Sequence, residues 1–474
     1  MDLNRLFILI FVLVAILNIA VEATVVSTAM PGIINDLNGF ELYSWVFSAF
    51  LIAQTTSAVI FGQLTDLYGR KLPIVSGLFI FMTASVLCGF SESMIQLVIF
   101  RFIQGIGAGA ILPVCITIVG DLFDISERAK AQASIASVWA SSSIAGPLIG
   151  GFIVSNYDWA WIFWVSTPLS VIAMVGFVFF LKGDVKKQRY FDTTGSITFS
   201  FSTLTFLLFL LSIGTGDISI SILLFVFCAL STFTYHCHSK KIAFPFINFK
   251  IWFRPQIIYP NMATMFGCMA TVGISIFIPL FIQKVMNGSP VLAGFAVTAV
   301  AMGWPVGATY SGTLVRQHKF KTSLIAGAVA LFTGTILYTT LDSDSFWFLP
   351  FIGSLTCGFG MGLITSTCMI IVQECADYSE RGTVSGAHVF ARNLGNAIGA
   401  AVLGIVFNLT GEECLSCVRA VENYGAGEFD VSTEAIFIGL HSTFFAMALI
   451  ALVAGLFLYI SIKTINSQWL QRPT

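Results

Sequence analysis

Glu22 is the one acid that lies well inside an apolar stretch of this chain, and Arg101 is the base best placed to meet it. A charge at the centre of a bilayer costs about 2.5–3.5 kcal/mol on insertion scales. A carboxyl kept there is suited to taking and releasing protons. At ~1.5 Å per residue, Glu22 falls about 12 Å and Arg101 about 9 Å from the outer ends of their stretches, so a pair is geometrically allowed. Asn18 stands one turn before Glu22 on the same face, and Gln104 shares a face with Arg101. The competing reading is a fixed ion pair that only holds two helices together.

A second group of charges has the opposite setting. Gly62-Gln-Leu-Thr-Asp66-Leu-Tyr-Gly69-Arg70-Lys71 is a short polar turn between two apolar stretches. Arg and Lys in so short a loop place it on the cytoplasmic side. Gly62 and Gly69 permit close backbone approach and positive φ, as a tight turn between helices requires.

The elements that carry these residues follow from composition. Of 474 residues, 57% are hydrophobic and 10% charged, against about 25% charged in an ordinary soluble protein. Stretches of the ~20 residues needed to cross a bilayer recur fourteen times, from Leu6–Met30 to Thr433–Ile462. The expected fold is therefore an all-α polytopic membrane protein. An even count puts both termini on one side. With that side cytoplasmic, all of the 23 Lys and Arg except Arg101, Lys284, Arg392 and Arg419 fall in inner loops or tails. The first stretch contains Glu22 and lacks a small-residue cleavage site, so it reads as a retained helix, not a signal peptide.

The turn recurs weakly at Gly312-Thr-Leu-Val-Arg316-Gln-His-Lys-Phe-Lys321, after the tenth stretch. Two parallel repeats of six helices fit this pattern. The expected divisions are residues 1–190 for the first six-helix bundle, 191–240 for two additional helices and 241–474 for the second bundle. Cys414 to Glu434 reads as the longest outer loop.

Other features carry less information. Gly146-Pro147-Leu-Ile-Gly150-Gly151 combines a helix-perturbing Pro with small residues one turn apart. Trp139, Trp304 and Gln54 could line an apolar cavity with a few polar groups. His388 and Arg392, one turn apart, could form a second polar site or simply mark the inner end of a helix. The ten cysteines show no zinc-type spacing, and no metal or cofactor is expected. A net charge of −1 without a basic block argues against nucleic-acid partners. No constellation of nucleophile and base suggests an enzyme.

Together these motifs resemble the major facilitator superfamily, and within it the fourteen-spanner drug–proton antiporter branch. The resemblance covers nearly the whole chain. It rests on the Gly62–Lys71 turn, on Leu97-Val-Ile-Phe-Arg101-Phe-Ile-Gln104-Gly105-Ile-Gly107, on Gly146–Gly151, on Glu22-Ala-Thr-Val-Val-Ser-Thr-Ala-Met-Pro31, and on Arg381-Gly382 with Phe390-Ala-Arg392-Asn-Leu-Gly395. It implies two six-helix bundles plus two central helices, and export of amphipathic or cationic drugs in exchange for protons at the plasma (inner) membrane. Asp66 and Arg70 would form a cytoplasmic charge latch with Asp121, while Glu22 and Arg101 would couple protons to substrate. The Gly146–Gly151 stretch is the element associated with antiporters. The chain would act as a monomer. A specific-metabolite exporter or symporter of the same fold is the alternative. Two positions depart from the pattern: Glu22 stands where this branch usually has Asp, and Ala160 where it usually has Arg.

Overall fold

The computed structural model describes residues 3–37, 42–182, 191–215, 218–242, 245–422 and 431–465. Among these there is no strand, and fourteen helices are long and apolar enough to cross a membrane. They are α1 (Leu3–Leu37), α2 (Tyr43–Tyr68), α3 (Lys71–Gly89), α4 (Met94–Leu122), α5 (Ile125–Asn156) and α6 (Ala160–Phe180, in two pieces either side of Val165). Next come α7 (Thr193–Thr215), α8 (Ile218–Ser239), α9 (Pro255–Lys284), α10 (Pro290–Arg316), α11 (Phe320–Tyr338) and α12 (Leu349–Glu374). The series closes with α13 (Arg381–Glu422) and α14 (Val431–Ile465). Helix prevails because the bilayer offers no water to the backbone, and only a helix satisfies each N–H and C=O within its own segment.

One expectation fails between the last two helices. The polar loop foreseen from Cys414 to Glu434 is not a loop throughout, since α13 runs on to Glu422 and α14 begins at Val431. Arg419 and Glu422 continue a helix that has already satisfied its own backbone, so polarity there does not mark the end of the helix. The side chains of Cys414 and Cys417 lie outside the described residues.

The chain divides into two compact units. The first comprises Met1–Phe209, Ile222–Ile257 and Met369–Phe390; the second comprises Leu210–Ser221, Ile258–Cys368 and Ala391–Thr474. In the first unit α4 is the central helix, packing on both α2 and α3, while α1 packs on α5 and α6. Small residues make the α2–α4 approach possible. A Cβ on Gly105 would overlap the Phe50 carbonyl, and one on Gly109 would overlap Ser57 Oγ. The core around them is aliphatic and aromatic, including Ile16, Phe50, Phe81, Ile111 and Phe177. In the second unit α11 packs on α14 and α10.

The additional pair, α7 and α8, is anchored near one end by a polar knot. Asp192 Oδ1 accepts the Gly195 N–H at 2.8 Å and lies 2.8 Å from His238 Nε2, while Oδ2 accepts the Phe246 N–H at 2.9 Å. One carboxylate thus ties the start of α7, the end of α8 and the segment leading to α9. Phe199 on α7 packs beside it against Tyr235, Phe246, Trp252 and Phe390. The rest of α8 is almost wholly exposed, with Phe225, Phe227 and Phe233 open to the surroundings, as befits a helix whose neighbour is lipid.

Candidate functional site

Two polar sites stand in the first unit, one within the helices and one at their ends. In the inner site Arg101 Nη1 lies 3.0 Å from Glu22 Oε1, and both residues are 1% exposed. The same nitrogen donates to Gln104 Oε1 at 2.6 Å, and Gln104 Nε2 donates to Ser85 Oγ at 2.7 Å. Arg101 Nε donates to the Val46 carbonyl at 3.2 Å, and its guanidinium lies over the Phe50 ring at 4.2 Å. Arg101 is thus held by α2, α4 and an acid on α1. Glu22 Oε2 is buried without a hydrogen-bond partner among the described residues. This asymmetry matters chemically, because a proton on Oε2 would break no existing bond.

Asn18 does not join that network. Its amide donates to Ser170 Oγ on α6 at 2.6 Å, although it shares a helix face with Glu22. Gln54 is buried on α2, with its carbonyl against Gly109. Trp139 is half-buried on α5, and its indole N–H has no partner among the described residues. Gly146 brings α5 onto α1 two residues beyond Glu22. A Cβ there would overlap Thr24 Oγ1, which itself reaches the Ser142 carbonyl at 3.1 Å. Gly150 is buried, whereas Gly151 is exposed and faces open space. The side chain of Pro147 lies outside the described residues.

The second site is built on the Gly62–Lys71 turn. Gly69 ends α2 at φ 80°, a conformation that glycine adopts without penalty. Gly62 is helical instead, and its part is approach: a Cβ would come within 2.7 Å of the Gly382 carbonyl. Asp66 then accepts from the first N–H groups of α13, Gly382 N at 2.8 Å and Thr383 N at 2.7 Å, and from Thr383 Oγ1 at 2.7 Å. These donors have no partner inside their own helix, and the helix dipole favours a carboxylate there.

Around that cap, guanidiniums and acids alternate. Arg70 Nε donates to Asp121 Oδ2 at 2.7 Å, and Arg381 Nη1 donates to Asp121 Oδ1 at 3.0 Å. Arg70 also donates to the Tyr378 carbonyl at 2.9 Å and lies 4.2 Å from the Tyr378 ring centre. Arg128 pairs with Glu374, and Arg254 pairs with Glu380 at 2.9 Å. Burial works against the Arg70 charge, but Asp121, Tyr378 and Asp66 together outweigh it and hold the guanidinium above its usual range. For Arg128 the balance is reversed. Burial and the nearby Arg381 pull it down, and Glu374 only partly offsets them. Gln373 Nε2 bridges the Ile116 carbonyl and Ser385 Oγ at 3.1 Å each. Lys71 stands apart from the cluster and donates to the Val178 carbonyl at 2.6 Å.

Sequence reasoning placed Asp66, Arg70 and Asp121 here but missed Glu374, Tyr378, Thr383, Arg128 and the Arg254–Glu380 pair as participants. The signal was present in the dense run Glu374, Asp377, Glu380 and Arg381 between α12 and α13, where three acids and a base exceed what a short turn needs for solubility. His388 is buried in the first unit. Trp304 and Arg392 belong to the second unit, and both are half-buried. Among the described residues no cluster of His, Cys, Asp and Glu could hold a metal ion.

Fourteen apolar helices, a buried Glu–Arg pair and a charge-capped helix end define an integral membrane transporter, not an enzyme. Residues 8–400 match the profile of the Major Facilitator Superfamily, and the chain belongs to that family. Among curated relatives it is 32% identical over 396 residues to the "Multidrug transporter protein MdtP" of Bacillus subtilis, covering 82% of this chain and 73% of that one. It is 31% identical over 409 residues to "Multidrug resistance protein 3" of the same organism, covering 84% and 79%. "Efflux pump FUS6" of Gibberella moniliformis is 28% identical over 418 residues, covering 85% and 74%. Among solved structures, "human organic anion transporter MFSD10 (TETRAN)" superposes with a TM-score of 0.69 at 14% identity, over 97% of this chain and all of that one. This last likeness is one of fold.

Proposed function

We propose that this chain exports amphipathic organic compounds, cations among them, in exchange for protons. The observation that carries the reading is the Glu22–Arg101 pair, buried within spanning helices with one carboxylate oxygen unbonded. A carboxylate in that setting changes its interaction with Arg101 when it takes a proton, and so links protonation to the packing of α1, α2 and α4. The names of the relatives support drug efflux as the activity so driven.

Transport proceeds by alternating access of two six-helix halves, residues 1–190 and 241–474, with residues 191–240 supplying the additional pair. Asp66, Arg70 and Asp121 form a latch with the start of α13, closing and releasing as the conformation changes. The distribution of Lys and Arg puts both termini in the cytoplasm. The protein works as a monomer in the plasma (inner) membrane, without metal or cofactor.

The test uses proteoliposomes with an imposed pH gradient, following ethidium movement and lumenal pH together. Ethidium flux with counterflow of protons in the native protein, and loss of both in a Glu22→Gln protein that still folds, is the expected result. Flux that survives the substitution moves coupling away from Glu22. Absence of native flux for any cation tested overturns broad cation export.

A further inference from the structure

Arg392 is the intramembrane cation that the mechanism leaves unused. It lies eleven residues beyond Arg381, the first residue of α13, about 16 Å along the helix at ~1.5 Å per residue. It falls within the stretch Tyr378–Thr410, which is long and apolar enough to cross a membrane, and a charge inside such a stretch is costly. Unlike Arg101, it forms no hydrogen bond or ion pair with any described residue. It is half-buried and so reaches accessible space.

Its setting is polar on one side. Gly395 and Gly399 of α13 press against the backbone of Met265 and Met269 on α9, so the two helices run side by side without intervening side chains. At this level the Cys268 thiol stands near the Arg392 guanidinium. Thr264, one turn earlier on the same face of α9, is fully buried, with its hydroxyl beside the Cys368 thiol. A guanidinium presents five N–H donors in a planar fork that matches a carboxylate or sulfonate. No acid among the described residues pairs with it, so its charge is open to an anionic group.

We propose that Arg392, beside Thr264 and Cys268, binds the anionic group of a substrate, a carboxylate or sulfonate carried on an apolar body. The proposal rests on the export reading and extends its substrate class from cations to amphipathic anions and zwitterions.

Equilibrium binding to the purified full-length protein in phosphatidylcholine nanodiscs tests it. The probes are radiolabelled naphthalene-1-sulfonate and, as control, tetraphenylphosphonium. The native protein binds the sulfonate saturably. Arg392→Gln weakens sulfonate binding tenfold or more, and Arg392→Lys, which keeps the charge but loses the fork, weakens it less. Tetraphenylphosphonium binding stays within twofold in both. Sulfonate binding that is absent in the native protein, or unchanged in Arg392→Gln, overturns the proposal. So does equal loss of both probes. Displacement of the sulfonate by added phosphatidylglycerol assigns the site to a lipid headgroup and overturns it as a substrate site. Should Arg392→Gln fail to fold, photolabelling of the native chain with an azidonaphthalene sulfonate decides. Adducts at 261–268 or 388–396 support the site, and adducts elsewhere refute it. Failure of cation flux with sulfonate binding intact counts against the export reading alone.

Discussion

Arg101 holds one oxygen of Glu22 at 3.0 Å and leaves the other without a hydrogen bond. The pair joins α1 to α4 in the interior of the first unit. Removing one member of a buried pair leaves the other uncompensated, at a cost of about 3–5 kcal/mol. Arg101→Gln is therefore expected to destabilise strongly and Glu22→Gln also. The double substitution should cost less than the two singles together, by about 1 kcal/mol or more. Thermal unfolding in detergent of the four proteins measures this. Simple additivity would mean that the pair contributes nothing as a pair.

Asp66 accepts three bonds from Gly382 and Thr383 at the start of α13. Asp66→Asn removes the charge from the helix N-terminus, where caps contribute about 1 kcal/mol and charge-assisted bonds about 1.5–3 kcal/mol. A latch acts on the conformational step, so turnover should fall about tenfold while substrate binding changes less than twofold. Flux and equilibrium binding, measured on the same preparation, separate the two. Lost binding with unaltered turnover per bound substrate would remove Asp66 from the latch.

Gly146 and Gly151 have opposite surroundings on one helix. Gly146→Ala must push α5 from Thr24 on α1, and overpacking of this kind costs about 1–3 kcal/mol. Gly151→Ala meets open space and should stay within about 0.5 kcal/mol of the native protein. Unfolding temperatures compare them directly. Equal effects would show that helix propensity, not the α1–α5 contact, governs this stretch.

Asp192 gives a pH dependence of known sign. Burial alone would raise its carboxyl, but His238 and the N–H groups of Gly195 and Phe246 bring it below the usual range. A lowered folded value means that its stabilisation is complete above the unfolded value of about 4 and fades as the pH falls through the folded one. Asp192→Asn should lose about 1–3 kcal/mol at neutral pH. The gap in unfolding temperature from the native protein should then close below about pH 4. A gap that widens in acid would contradict the assignment.

The chain alone determined the number of spanning helices and which charges lie within them, for a simple physical reason. Length and apolarity set what crosses a bilayer, and an acid or base within such a stretch is too costly to be incidental, which is why Glu22 and Arg101 were legible. Gly69 was legible as well, since a tight turn between two helices needs a residue free to take positive φ. What joins what belonged to the tertiary structure. In lipid both the packed and the exposed faces of a helix are apolar, so periodicity does not reveal which face meets which neighbour. Asn18 therefore pointed in sequence toward Glu22 but bonds Ser170 on α6. The donors that Asp66 accepts lie more than 300 residues along the chain, at Gly382 and Thr383. Only folding brings a helix end with unsatisfied N–H groups to a carboxylate so distant in sequence.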